Sequence, residues 1–291
     1  MAVFCLRRLK VCKNSMRTRR GVLFFGGLLA AATLGIVGFL HGSSDAPTLV
    51  TNPVSGLRTW ESGAGPRPLI LLHGYAAEPE EWLPFAQTFQ VSAQRRFVFP
   101  EAPHQTTRTD GPRGGRAWWE LALSTYPLTR DGLPDLSRAH PPGLTDAAAR
   151  IRRLLAELET RLKSPRDRQI LGGFSQGAMI SAEIAFRSDE PMQALILLSG
   201  ATVDEAGWKA GLARRRGLPV FIAHGRQDTV LPFAASERLA QAMREAGLRV
   251  TWVPHDGIHD VPASVVDALN QFLASVDGPP AVAADLPNVR R

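Results

Sequence analysis

The chain has 291 residues, 44% of them hydrophobic and 21% charged, which is enough apolar material for one large core or two modest ones. Its net charge of +7 would suit a polyanion, but Arg7, Arg8, Lys10, Lys13, Arg17, Arg19 and Arg20, with no acid among them, carry the whole excess. The rest of the chain balances its basic and acidic side chains, so charge gives no footprint for nucleic acid. Both cysteines, Cys5 and Cys12, also lie in this segment. Beyond Arg20 the chain therefore has no disulfide, no zinc-thiolate site and no cysteine nucleophile.

Residues 1–20 read as a basic cytoplasmic tail. Residues 21–40 contain no charged side chain, and at about 1.5 Å per residue a helix there would span a bilayer core of roughly 30 Å. The segment is expected to be either a transmembrane signal anchor or a cleaved export signal; its length favours the anchor, and Ser44-Asp45-Ala46 offers a small-x-small cleavage site. The basic flank then places everything after it outside the cytoplasm. Residues 41–65, rich in Pro, Gly, Ser and Thr, read as a linker with a short strand near 57–61.

From 66 to 276, short apolar runs alternate with helical patterns. Strands are expected at 68–72, 96–99, 169–171, 194–198, 218–223 and 250–253. Helices are expected at 79–90, from Thr145 through the stripe Ile151, Leu154, Leu155, Leu158 and Leu162, and at 177–186, 236–246 and 262–274. Gly247 should stop the fourth of these helices. Strands without polar alternation, separated by amphipathic helices, imply an α/β domain of roughly 210 residues with a mostly parallel sheet covered on both faces. Residues 111–140 fit this rhythm least, as a long loop or lid around Trp118 and Trp119. Residues 277–291 read as a disordered tail.

Gly173-Phe174-Ser175-Gln176-Gly177 joins a strand to a helix, the setting in which a serine is exposed at a sharp turn and its glycine neighbours avoid collision. A bare pattern of this kind also occurs as an idle turn, so other residues must decide. A serine hydroxyl needs a neutral imidazole to take its proton and a carboxylate to orient that imidazole. The strand at 218–223 runs into His224-Gly225-Arg226-Gln227-Asp228, and the strand at 250–253 runs into His255-Asp256-Gly257-Ile258-His259. Asp228 is the candidate acid and His259 the candidate base, with His255 as competitor. His224 reads as a packed structural histidine, and His104 and His140 carry no motif. Pro254 and Gly257 break the helix that a His255/His259 metal pair would need, so no metal is assigned. Oxyanion donors are expected from the Gln176 amide, at a helix N-terminus, and from the Tyr75 amide after the strand-end His73-Gly74.

The segments LLHGYAAEPEEW, PEAPHQ with GGRAWW, LGGFSQGAM, LLSG, and AHGRQDTVLP followed by HDGIHDVP together resemble the phospholipase/carboxylesterase family of α/β-hydrolases, which includes acyl-protein thioesterases. The resemblance runs in order from Leu69 to Leu273. It implies an α/β-hydrolase fold over 66–276 and a serine esterase acting on a small-molecule ester or acyl substrate; the preceding apolar helix is an addition to the family pattern, and no cofactor is expected. It further implies Ser175, Asp228 and His259 as the triad and the Tyr75 and Gln176 amides as the oxyanion hole. It also implies that Trp118 or Trp119 lies beside the acyl group, although core packing explains those indoles equally well. A membrane-tethered binding module that keeps the fold without catalysis is the alternative from a different class, and a peptidase of the same fold is another.

Overall fold

A computed structural model of the protein describes residues 46–106 and 115–278. The expected basic tail at 1–20, the apolar segment at 21–40 and nearly all of the tail at 277–291 lie outside the described residues. Among the described residues, no helix is long and apolar enough to cross a membrane.

One mixed sheet organises the domain. Its strands are β1 (Thr48–Asn52), β2 (Leu57–Ser62), β3 (Arg67–Leu72), β4 (Arg95–Pro100), β7 (Ile170–Phe174), β8 (Ala194–Leu198), β9 (Pro219–Gly225) and β10 (Arg249–His255). The spatial order is β1-β2-β4-β3-β7-β8-β9-β10. β1 and β2 pair antiparallel, β2 joins β4 antiparallel, and all pairings from β4 to β10 are parallel. A two-stranded ribbon, β5 (His104–Gln105) with β6 (Arg116–Ala117), lies apart from it.

Burial on both faces explains why the central strands show no polar alternation. Ile70, Leu72, Leu195, Leu197, Val220 and Ile222 point into one core with α2 (Pro142–Leu162), α3 (Gln176–Arg187), α4 (Glu205–Leu212) and α5 (Phe233–Glu245). Their neighbours Leu69, Leu71, Ala194, Ile196, Leu198, Phe221 and Ala223 point into a second core with α1 (Leu83–Thr88) and α6 (Ala263–Asp277). The two-residue period of a strand thus distributes a continuous apolar run between two layers of helix.

Several boundaries differ from expectation. Residues 41–65 are more than a linker: the strand expected near 57–61 is β2, and the unexpected β1 precedes it, so that both extend the sheet. The hairpin is closed by Asn52, whose amide donates to the Leu57 carbonyl and to Thr59 Oγ1 at 3.1 and 3.0 Å. It is fixed to the domain by Glu61, buried and paired with Arg161 of α2 and with Arg96. α2 begins at Pro142, which sits at a position where a helix N–H has no partner to lose, so Thr145 lies inside the first turn. The helix expected at 79–90 is a 3₁₀ turn at Pro79–Trp82 followed by the short α1. α5 ends at Glu245, and Gly247 just beyond it takes φ +88°, as a helix stop requires. α6 runs through Asp277, whose carboxylate pairs with the buried Arg95, so residue 277, expected to open the tail, belongs to the helix. Arg95 also donates to Gln193 Oε1 at 2.7 Å and to the Arg168 carbonyl at 3.1 Å, which makes the end of α6 part of the domain.

Candidate active site

At the C-terminal end of β7 the chain turns directly into α3. Ser175 sits at this junction with φ 53° and ψ −114°, a conformation that disfavours a non-glycine residue by about 1–3 kcal/mol. Its N–H donates to the Leu198 carbonyl at 2.8 Å, so the neighbouring strand holds the strained residue in place. The flanking glycines are needed because of close backbone approach. A Cβ at Gly173 would lie 2.5 Å from the Gly177 carbonyl carbon, and one at Gly177 would lie 2.3 Å from the Leu72 oxygen.

The loops after β9 and β10 bring the other two groups to this serine. They are stitched together by Arg226 N–H donating to the His255 carbonyl at 2.7 Å and Gln227 N–H to the Gly257 carbonyl at 3.1 Å. Asp228 Oδ2 faces His259 Nδ1 at 2.7 Å, and His259 Nε2 faces Ser175 Oγ at 3.0 Å. The carboxylate can only accept, so His259 carries its proton on Nδ1 and presents the lone pair of Nε2 to the serine hydroxyl. Phe174 packs beside the imidazole with ring centroids 4.8 Å apart.

Asp228 Oδ1 accepts from the amides of Val230 and Leu231 at 2.8 and 2.9 Å. Burial by itself would raise the pKa of this carboxyl. Hydrogen bonds from His224 and His259, the charge of His259 and the Leu231 amide outweigh burial and hold it well below the usual carboxylate range. The competitor His255 is occupied elsewhere: its Nδ1 accepts from the Gly257 amide at 3.1 Å. Burial lowers its pKa despite the nearby Asp260 carboxylate.

The loop after β3 borders Ser175, since a Cβ at Gly74 would lie 3.3 Å from Ser175 Cβ. His73 orients that loop. Its Nε2 accepts from the Ala102 amide at 3.1 Å, which leaves the proton on Nδ1 to donate to the Gly74 carbonyl at 2.8 Å. In a trans peptide the N–H points opposite to the C=O. Tying down the Gly74 carbonyl therefore turns the Tyr75 N–H away from the His73 ring.

The constellation has the parts and spacing of an activated serine. A model of the phospholipase/carboxylesterase family matches residues 64–277. The chain belongs to that family. It is an enzyme, a serine hydrolase of the carboxylesterase/phospholipase type. Acyl-protein thioesterase 1 of Schizosaccharomyces pombe is 23% identical over 215 residues, covering 73% of this chain and 92% of the relative. The crystal structure of esterase PE8 is 26% identical with a TM-score of 0.60, covering 80% of this chain and all of that one. Acyl-protein thioesterase 2 of Zea mays, 21% identical with a TM-score of 0.59 over 76% of this chain and 99% of that one, shares the fold.

Within this phospholipase/carboxylesterase, Trp118 and Trp119 are buried, at 1% and 4% exposure, and belong to the core beneath α2 and α3. Trp118 Nε1 donates to the His73 carbonyl at 3.0 Å, and its ring lies 5.4 Å from the His73 ring. The Trp119 side chain abuts Gly143 at the start of α2. Of the two readings of these indoles, core packing behind the loop after β3 is the one their burial supports. Gln176 fastens this segment: its Oε1 accepts from the Trp118 amide at 3.0 Å and its Nε2 donates to the Trp119 carbonyl at 2.9 Å. Gln176, directly after Ser175, therefore contributes a side chain to scaffolding as well as an amide at the N-terminus of α3. Spacing in the sequence carried no signal for the His73 and Gln176 side-chain roles.

Burial pushes the His73 pKa down to about 4. Its ordinary value is about 6.5, so on acidification the unfolded state protonates first and stability falls. The contribution is complete above about pH 6.5 and is lost as pH drops toward 4. Urea unfolding is expected to show roughly 2–3 kcal/mol less stability at pH 4.5 than at pH 7 from this ring alone. The drop should shrink in His73→Gln; an equal drop in that variant would remove His73 as its cause.

Proposed function

We propose that this hydrolase cleaves carboxylic ester or thioester bonds of small or lipid-like acyl substrates through an acyl-enzyme on Ser175. The observation that carries the reading is the continuous hydrogen-bonded line from Ser175 Oγ through His259 to Asp228 on a strained strand-to-helix turn. His259 Nε2 takes the serine proton as Oγ attacks the carbonyl carbon. The developing oxyanion is met by the amides of Tyr75 and Gln176, and the dipole of α3 favours the same charge. Collapse of this intermediate breaks the bond to the alcohol or thiol, which leaves with the proton from His259. Water, deprotonated by the same nitrogen, then attacks the acyl-serine and releases the carboxylic acid, returning the proton to Oγ.

The acyl-protein thioesterase among the relatives favours including sulfur as well as oxygen leaving groups. A fluorophosphonate probe is expected to label the folded chain at Ser175 and nowhere else. Absence of labelling in folded protein would sink the proposal, and turnover across a panel of acyl lengths with oxygen and sulfur leaving groups defines the substrate class. The uncharged run at 21–40 behind seven basic residues supports delivery of the domain outside the cytoplasm, anchored or released. N-terminal sequencing of the exported protein separates the two, a start near Pro47 meaning release.

A further inference from the structure

Asp228 has a second histidine. His224, at the end of β9, has no exposed side-chain surface, and its Nε2 lies 3.0 Å from Asp228 Oδ2, the same oxygen that faces His259. The Leu231 carbonyl stands 3.2 Å from that nitrogen. Both neighbours are acceptors, so Nε2 must bear a hydrogen. On the other side of the ring, Nδ1 meets Ser236 Oγ at 2.8 Å, and Ser236 in turn reaches the Gly200 carbonyl at 3.0 Å. Phe233 closes the pocket edge-on, 6.0 Å between ring centroids.

We propose that His224 is a positioning residue for the hydrolysis, its Nε2–H acting as a second imidazole donor that fixes the Asp228 carboxylate and divides its charge between two histidines. The inference rests on the serine-hydrolase mechanism proposed above and adds a member to it. Oδ1 is held by two backbone amides of its own turn, and Oδ2 by one ring from β9 and one from the loop after β10, so the carboxylate cannot rotate about its Cβ–Cγ bond without breaking a hydrogen bond. A histidine serving only to pack would be satisfied by the Leu231 carbonyl; this one continues to the oxygen that orients the base.

The electrostatic consequence has a definite sign. Removing one donor from Oδ2 concentrates negative charge on the hydrogen bond to His259, which favours the protonated base. The nucleophile needs that base neutral, so the acid limb of the kcat/KM profile should move to higher pH. Asp228 and His259 are the partners in contact. His255 at the end of β10, Asp256 and Asp260 in the adjoining loop, and Arg226, which is ion-paired with Asp256, are the other titratable groups on this side.

The test compares full-length wild type with His224→Ala, which removes the donor, and His224→Gln, whose Nε2 can replace it. His224→Ala is expected to lose roughly 10–100-fold in kcat on a simple ester with KM within about twofold, and its acid limb should rise by about half a pH unit or more. His224→Gln should recover kcat to within about fivefold and restore the wild-type limb. Identical kcat and wild-type limbs in both variants, with only their melting temperatures lowered, would overturn the proposal. Folding of these variants is not required for a decision, because proton NMR of His259→Ala must still show, beside the buried His73 Nδ1–H, a second exchange-protected imidazole N–H downfield of the amides, and its absence also overturns the assignment. A wild-type protein inert toward all esters and thioesters would instead refute the mechanism above, while that resonance would still report on the His224–Asp228 bond.

Discussion

Ser175→Ala is expected to lower kcat/KM toward a p-nitrophenyl ester by roughly 10⁴- to 10⁶-fold while leaving a folded protein. The size follows from the division of labour at the site. Without Oγ there is no acyl-enzyme, and His259 can at best activate water at a position the elbow was not shaped to hold. The His259–Asp228 bond, the amides at the start of α3 and the His73-fixed loop remain, so some acceleration over water survives. Alanine keeps a Cβ at the same positive φ and requires no change in the Gly173 and Gly177 contacts, so the thermal midpoint should shift little. The assay also separates competing functions. A tethered binding module on this fold would show no turnover in the wild type for the substitution to remove. A peptidase would lose its activity at the same residue, and a peptide panel beside the ester panel identifies it.

The three candidate groups were legible because each follows the end of a strand of the parallel sheet, where the chain runs into a glycine or a loop. Ser175, Asp228 and His259 lie in the turns that follow β7, β9 and β10, and the order of strands in sequence carried the order of the expected roles. Of the first hairpin, β2 was expected near 57–61, but β1 was harder to see. Thr48, Leu49 and Thr51 are exposed on an edge strand, so burial did not impose a pattern on them. The other partner of β2 is β4, more than thirty residues away, and pairing at that distance leaves no local mark.

Side-chain roles that depend on a neighbour brought by the fold were likewise invisible. His224 and Asp228 are four residues apart but separated by a turn, not a helical surface, so only coordinates place an imidazole nitrogen against the carboxylate. The same holds for Trp118 and Trp119. A pair of indoles beside a glycine turn suits a cleft or a core, and it is the Gln176 side chain, reaching from the nucleophile helix, that commits them to the core.

Asp228→Asn should be the most damaging isosteric change, lowering kcat by roughly 10³- to 10⁴-fold with little change in KM. The carboxylate accepts four hydrogen bonds, two amides on Oδ1 and two imidazoles on Oδ2. An amide has one accepting oxygen, so its NH₂ must confront one of these donor pairs. If it faces the amides, the turn that positions the residue opens. If it faces the histidines, His259 has to present a lone pair from Nδ1, which puts its proton on Nε2 and removes the acceptor for the serine hydroxyl. Either outcome also leaves buried donors unmatched, for an expected cost of about 2–4 kcal/mol at neutral pH. The wild-type carboxyl titrates below its unfolded value, so its stabilisation is present above about pH 4 and is lost as pH falls through the folded value. The stability gap between variant and wild type should therefore be widest near pH 7 and narrow toward pH 3, measured by urea unfolding at both. A variant retaining kcat within tenfold of wild type would mean that Asp228 does not set the tautomer of His259.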